Sequence, residues 1–143
     1  MGGRAFVVLA AGGSIAVGLA ILALALFIGG PTNIDVACQE TPRICVPVRD
    51  YAAAWNSRDA EGMAGLMTER GLRAVLNVAS TEELAENLDQ LPVTDIIEQL
   101  QITSVAATDE TAVVRLRFTR LNLGREQEFR LVLSDGSWLI DDG

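Results

Sequence analysis

Few residues in this chain could do chemistry, and their types narrow it. Among 143 residues there are two cysteines, one tyrosine, two tryptophans, 11 arginines, no lysine and no histidine. Without histidine the chain lacks the one side chain whose unperturbed titration falls near neutrality, and with it the commonest metal ligand. Ser-His-Asp and Cys-His catalysis and most zinc chemistry are thereby excluded. Glycine-rich phosphate loops are also missing, because Gly2-Gly3, Gly12-Gly13 and Gly29-Gly30 belong to an apolar segment and its edges. No cofactor and no metal are expected.

The cysteines, Cys38 and Cys45, bracket a short Pro-containing stretch, Cys38-Gln-Glu-Thr-Pro-Arg-Ile-Cys45. A pair so placed reads as a disulfide of an oxidising compartment, and closing so short a loop stabilises by roughly 2–3 kcal/mol. A metal site or a redox pair fails on spacing and on the absence of histidine. Farther along, Arg115, Arg117, Arg120, Arg125 and Arg130 invite either an anion-binding patch or a solvated salt network. Glu126 and Glu128 sit on the adjoining strand and share its outer face with Arg130, which favours the network. The aromatics Tyr51, Trp55, Phe118, Phe129 and Trp138 either wall a ligand cavity or fill an ordinary core.

Location depends on one apolar run, Ala5 to Ile28, which holds no charge, no proline and nothing more polar than Ser14. As a helix it reaches roughly 36 Å, more than the hydrocarbon core of about 30 Å. A cleaved signal peptide is the competing reading, but such apolar regions are about 7–15 residues long and end in a polar cleavage region. Near the N-terminus the Ala-x-Ala pattern, Ala23-Leu24-Ala25, lies inside the run. Arg4 precedes the run, whereas Asp35, Glu40 and Arg43 follow it, so the positive side stays cytoplasmic and the body lies outside the inner membrane. Within the run Ala10, Ser14 and Gly18 form a stripe of small residues that permits close helix approach in lipid. The expected partners are membrane lipid and an integral membrane complex reached through this helix.

After the run, roughly 110 residues remain, enough for one compact domain. Ten arginines face 19 acidic residues there, a net charge of −9, which argues against nucleic acid and anionic lipid surfaces. The arginine-only basic set, with much Ala, Gly and Val, suggests a high-GC bacterial genome. The organisation expected is a transmembrane helix over 1–29, a disulfide-bearing irregular neck over 30–47 with Pro31, Pro42 and Pro47 opposing regular structure, and a domain over 48–143.

The domain opens on a helical stripe of Val48, Tyr51, Ala52 and Trp55. Asp59 caps a second short helix carrying Met63, Leu66 and Met67. Leu72, Val75 and Leu76 continue a third apolar face. Ser80 or Thr81 with Glu83 starts a helix holding Leu84, Leu88 and Leu91, which Pro92 stops. From there the period changes to strands over 102–107, 111–121, 126–134 and 137–141, with turns at Asp109-Glu110, Leu123-Gly124 and Asp135-Gly136. The Asp-Gly hairpin predicts Leu133 opposite Trp138 and Leu131 opposite Ile140. The fold class is α+β: short helices packed on a curved antiparallel sheet.

The stretch Tyr51-Ala-Ala-Ala-Trp-Asn-Ser-Arg-Asp59, with Met63, Leu66 and Met67 after it, resembles the opening helices of the nuclear transport factor 2-like superfamily. That group includes ketosteroid isomerases and polyketide cyclases. The resemblance implies a cone-shaped pocket closed by a curved sheet. In the isomerases of that group a helix tyrosine and a pocket aspartate polarise the substrate carbonyl while a second aspartate moves the proton. Tyr51 matches the tyrosine; the two aspartates would fall near Val75 and near Phe129 or Arg130, where neither carboxylate is present. Proton transfer needs a paired acid and base, so the chain is expected not to be an enzyme. One span, a neck and such a domain also resemble, in architecture alone, the Mce-associated proteins of actinobacterial lipid importers. The expected function is a non-catalytic accessory or scaffolding subunit of a bacterial inner-membrane complex such as a lipid or solute transporter. A tethered binding domain for a small apolar ligand is the alternative.

Overall fold

The computed structural model describes residues 36–143. The apolar run Ala5 to Ile28, its stripe Ala10, Ser14 and Gly18, and the start of the expected neck lie outside the described residues. Among the described residues no helix is long and apolar enough to cross a membrane.

Regular structure starts earlier than proline content suggests. A single 3-10 turn, Val36–Cys38, leads into helix α1, Pro42–Ser57. Pro42 lies in the first turn of α1, where a missing N–H goes unused and its fixed φ suits a helix. Pro47 lies inside the helix and removes one backbone bond. The disulfide Cys38–Cys45 ties the preceding turn to this segment, and Ile44, Cys45, Pro47 and Val48 are all buried, which offsets that loss. The last stretch of the expected irregular neck, Pro42 to Pro47, is therefore helical.

The expected stripe Val48, Tyr51, Ala52 and Trp55 is buried. Arg58 ends α1 in the left-handed region at φ 57°, and Asp59 then caps α2, Ala60–Ala64, by accepting from the Gly62 N–H at 2.9 Å. Helix α3, Glu69–Leu76, is capped by Thr68, and α4, Thr81–Asp89, by Ser80. Around the start of α4, Ser80 Oγ accepts from the Glu83 N–H and the Glu83 carboxylate accepts from the Ala79 N–H. The reciprocal pattern is close to a capping box.

Four strands follow in one antiparallel meander, β1 to β4 in chain order: Ile97–Ala107, Thr111–Arg120, Leu123–Ser134 and Ser137–Asp142. The last hairpin has the expected register, Leu133 opposite Trp138 and Leu131 opposite Ile140. The middle turn does not fall on Leu123-Gly124. It falls on Leu121 and Asn122, at φ 54° and 63°, because a two-residue hairpin needs positive φ at both central positions and Asn tolerates it. Strand β1 begins at Ile97, five residues before the expected start. Gln99, at φ 55°, sits in a register shift between Glu98 and Gln101. A bulge there breaks the two-residue alternation and bends the strand.

The helices cover one face of the sheet. Val48, Met63, Leu84 and Leu88 from the helical layer meet Val114, Phe129, Leu131 and Ile140 from the strands, all essentially sealed from water. A backbone seam closes one edge: Thr68 N–H donates to Ile140 O at 2.9 Å, and Ile140 N–H to Leu66 O at 2.8 Å. Gly71 makes this approach possible, since a Cβ there would run into the Ile140 carbonyl oxygen.

Candidate functional site

Along β2 the side chains alternate, and parity decides which arginines meet water. Ala112, Val114 and Leu116 are buried and Phe118 is half-buried, so the even positions face the helices. Arg115 and Arg117 point outward. Arg120 has even parity and turns inward with the core residues.

The outward arginines form the expected salt network. Arg115 Nε lies 2.9 Å from Glu128 Oε2, and Arg130 Nη2 lies 3.7 Å from Glu128 Oε1. Arg117 donates to the Gln101 side-chain carbonyl at 3.0 Å. A shallow depression on this face mixes Arg115 and Arg117 with Glu126 and Glu128, so its charges cancel locally.

Arg120 is different. Its Nε and Nη2 donate to the two carboxylate oxygens of Asp95 at 2.6 and 2.9 Å, a fork-to-fork pair that fixes both groups. Asp95 is the one charged residue in the core of the described structure, 2% exposed. Several α1 side chains hold its segment in place. Trp55 Nε1–H donates to the Asp95 backbone carbonyl at 3.1 Å, Arg58 Nη1 to the same carbonyl at 2.8 Å, and Arg58 Nη2 to Pro92 O at 2.7 Å. Asn56 grips the Ile97 backbone from both sides, donating to its O at 2.9 Å and accepting from its N–H at 2.7 Å. The Asn-Ser-Arg-Asp sequence that breaks the helical pattern thus clamps the α4–β1 connection onto α1.

The Arg120 guanidinium lies 4.6 Å from the Trp55 ring centroid, over its face, a cation–π contact. Its hydrogen bonds to Asp95 lower the Asp95 pKa and raise its own.

Beside this pair a cavity of about 400 Å³ is lined by Tyr51, Trp55, Arg120, Asn87, Gln127 and the apolar side chains of α3, α4 and Leu91. Its size falls near the small end of the usual range for ligand sites, about 300–1,000 Å³. Asn87 is exposed, so the cavity opens to solvent there. Tyr51 is 7% exposed and lies edge-on to Phe129, with ring centroids 5.1 Å apart. Among the described residues its hydroxyl has no hydrogen-bond partner. Burial pushes its pKa up to about 12, partly opposed by the nearby Arg120 charge. Unpaired buried hydroxyls are uncommon because each forgoes the hydrogen bond it had in water.

Of the five aromatics expected as possible walls, Tyr51 and Trp55 line this cavity. Phe118 packs half-buried against the core and Phe129 is fully enclosed in it. Trp138 lines a separate depression of about 340 Å³ with Arg43, Val46 and Pro47. Val75 does reach the cavity, at the place where the resemblance would set a general base. No Asp or Glu is among the cavity-lining residues. Asp95 is not foreseen from the sequence, which groups Arg120 with the surface arginines; the even parity of Arg120 on β2 is the signal that would have found it.

No protein-family model matches the chain, and no curated protein matches it significantly. Solved structures do share its fold. A nuclear transport factor 2-like protein of unknown function from Shewanella baltica aligns with a TM-score of 0.55 at 16% identity, over 73% of this chain and 90% of that one. Another from Silicibacter pomeroyi gives 0.56 at 14% identity, over 73% and 92%. A third, from Shewanella oneidensis, gives 0.51 at 14%, over 73% and 96%. These likenesses establish a nuclear transport factor 2-like fold and nothing about activity.

Proposed function

We propose that this chain is a non-catalytic binding domain for a small, mainly apolar ligand, tethered outside the cytoplasmic membrane by its N-terminal apolar run. The observation that carries this reading is the Tyr51 hydroxyl, buried in a cavity wall with no partner in the described structure. A site built to receive a ligand accounts for such a group, because the ligand supplies the missing hydrogen bond. Aliphatic side chains of α3 and α4 with Leu91 line one part of the cavity, and Tyr51, Trp55, Asn87, Arg120 and Gln127 line the rest. The absence of a carboxylate among the lining residues supports binding over proton transfer. The disulfide Cys38–Cys45 supports an oxidising, non-cytoplasmic location, and the length of the Ala5 to Ile28 run supports the tether.

The test is a ligand screen read on the Trp55 indole N–H. Only two tryptophans are present, so Trp138→Phe assigns the resonance in the full chain held in lipid nanodiscs. A saturable shift with small apolar compounds carrying one polar group is the expected result. If a broad set of such compounds leaves the resonance unmoved, the cavity is not a ligand site.

A second reading rests on a different observation, the small-residue stripe Ala10, Ser14 and Gly18 in the apolar run. It makes the chain an accessory or scaffolding subunit of an inner-membrane complex, such as a lipid importer of the Mce type or a solute transporter, docked through that helix. Purification in mild detergent through a C-terminal tag should retain an integral membrane partner, and replacing Ser14 and Gly18 by Leu should release it. Retention of that partner by the double variant would remove this reading.

A further inference from the structure

We infer that the Asp95–Arg120 pair is a charge filter: although an arginine lines the cavity, the site takes a neutral hydrogen-bond acceptor such as an amide or ester on an apolar body, and turns away carboxylates. The inference rests on the cavity being the ligand site. An isolated arginine in an apolar pocket ordinarily marks an anion site, since its fork matches a carboxylate. Here the fork is already occupied. Nε and Nη2 are bound to both oxygens of Asp95, leaving Nη1 and one N–H of Nη2 for the cavity. The net charge of the pair is zero. A ligand carboxylate on the remaining edge would bring a second negative charge across the same guanidinium from Asp95, which is itself only 2% exposed. The surrounding chain, at −8, adds to the repulsion.

A neutral acceptor meets none of these costs. Its oxygen can take the Tyr51 O–H, the Arg120 Nη1–H, or both, while its body rests on the half-buried Val75, Leu76 and Leu91. A plain hydrocarbon would fit the walls but leave the hydroxyl unpaired. Asp95 therefore acts as a positioning residue: it neutralises Arg120 and holds the guanidinium over Trp55.

The test compares three bodies of similar size, naphthamide, naphthoate and isopropylnaphthalene, by titrating the Trp55 indole resonance of the full chain in nanodiscs at neutral pH. Free probe is corrected with empty discs. Naphthamide is expected to bind about tenfold more tightly than either of the others, the worth of one well-made hydrogen bond. Tyr51→Phe should reduce the advantage of the amide over the hydrocarbon. Asp95→Asn, which keeps the shape and removes the charge, should shift the preference toward naphthoate. A wild-type chain that binds naphthoate as tightly as naphthamide overturns the filter while leaving the cavity a ligand site, and so does a folded Asp95→Asn with unchanged preference. If none of the three probes moves the resonance, the cavity reading falls as well. Because the wild-type comparison alone decides the point, a failure of Asp95→Asn to fold does not shelter the filter.

Discussion

Two arginines five residues apart on one strand meet opposite fates. Arg115 and its partner Glu128 have side chains 68% and 35% exposed, whereas Arg120 and Asp95 are at 30% and 3%. Nothing in residue type separates them. One position of odd parity and one of even parity on β2 send the first into water and the second toward the helices. On the outer face Arg115 and Arg130 share Glu128 in a loose network whose attraction water largely screens. On the inner face the pair is held by two charge-assisted bonds, an indole beneath it and a clamped backbone. Arg115 dresses a surface; Arg120 shapes a cavity. Residue composition alone would have put all five arginines in one class.

The contrast can be tested by removing one partner from each pair. Arg120→Leu should destabilise the domain by about 3–5 kcal/mol in urea unfolding, because it leaves the Asp95 charge buried without its partner. A loss under about 1 kcal/mol would place that pair in the same class as the surface one. High pH should reveal the buried face next. The chain has a single tyrosine, so absorbance follows Tyr51 alone, and its ionisation should centre near about 12 rather than 10.0. The folded state holds that proton more tightly than the unfolded chain, so its stability is intact below pH 10 and falls as pH rises toward 12. The loss is about 2–3 kcal/mol. Arg115→Ala should change stability by no more than about 0.5 kcal/mol; a larger cost would mean the outer network is not merely surface dressing.

Local rules made much of the fold legible. The Asp135-Gly136 hairpin set its register correctly because Asp-Gly suits a two-residue turn, and the Ser80 and Asp59 caps followed from side chains able to accept an orphan N–H. Where reading failed, a tertiary feature had overridden a local one. Pro47 opposes regular structure by its own chemistry, yet a disulfide and the burial around it hold α1 through that residue. The bulge at Gln99 hid the first five residues of β1 by breaking their alternation, and Asn122 drew the middle turn away from Gly124. The candidate site was half visible: Tyr51 and Trp55 lay on one predicted stripe, but Asp95 belongs to a connection with no pattern of its own. Its one sequence signal is Arg120, a charge at an inward position, which composition groups with the surface arginines.

The central claim is that the Tyr51 hydroxyl is held for a ligand and serves no bond within the domain. Unfolding of Tyr51→Phe by urea, without ligand, tests this directly. The account predicts a variant at least as stable as the parent, within about 0.5 kcal/mol or slightly above it, since no hydrogen bond is lost and an unpaired buried hydroxyl is removed. A loss of about 1 kcal/mol or more would show that the hydroxyl has a structural partner, and would contradict the account.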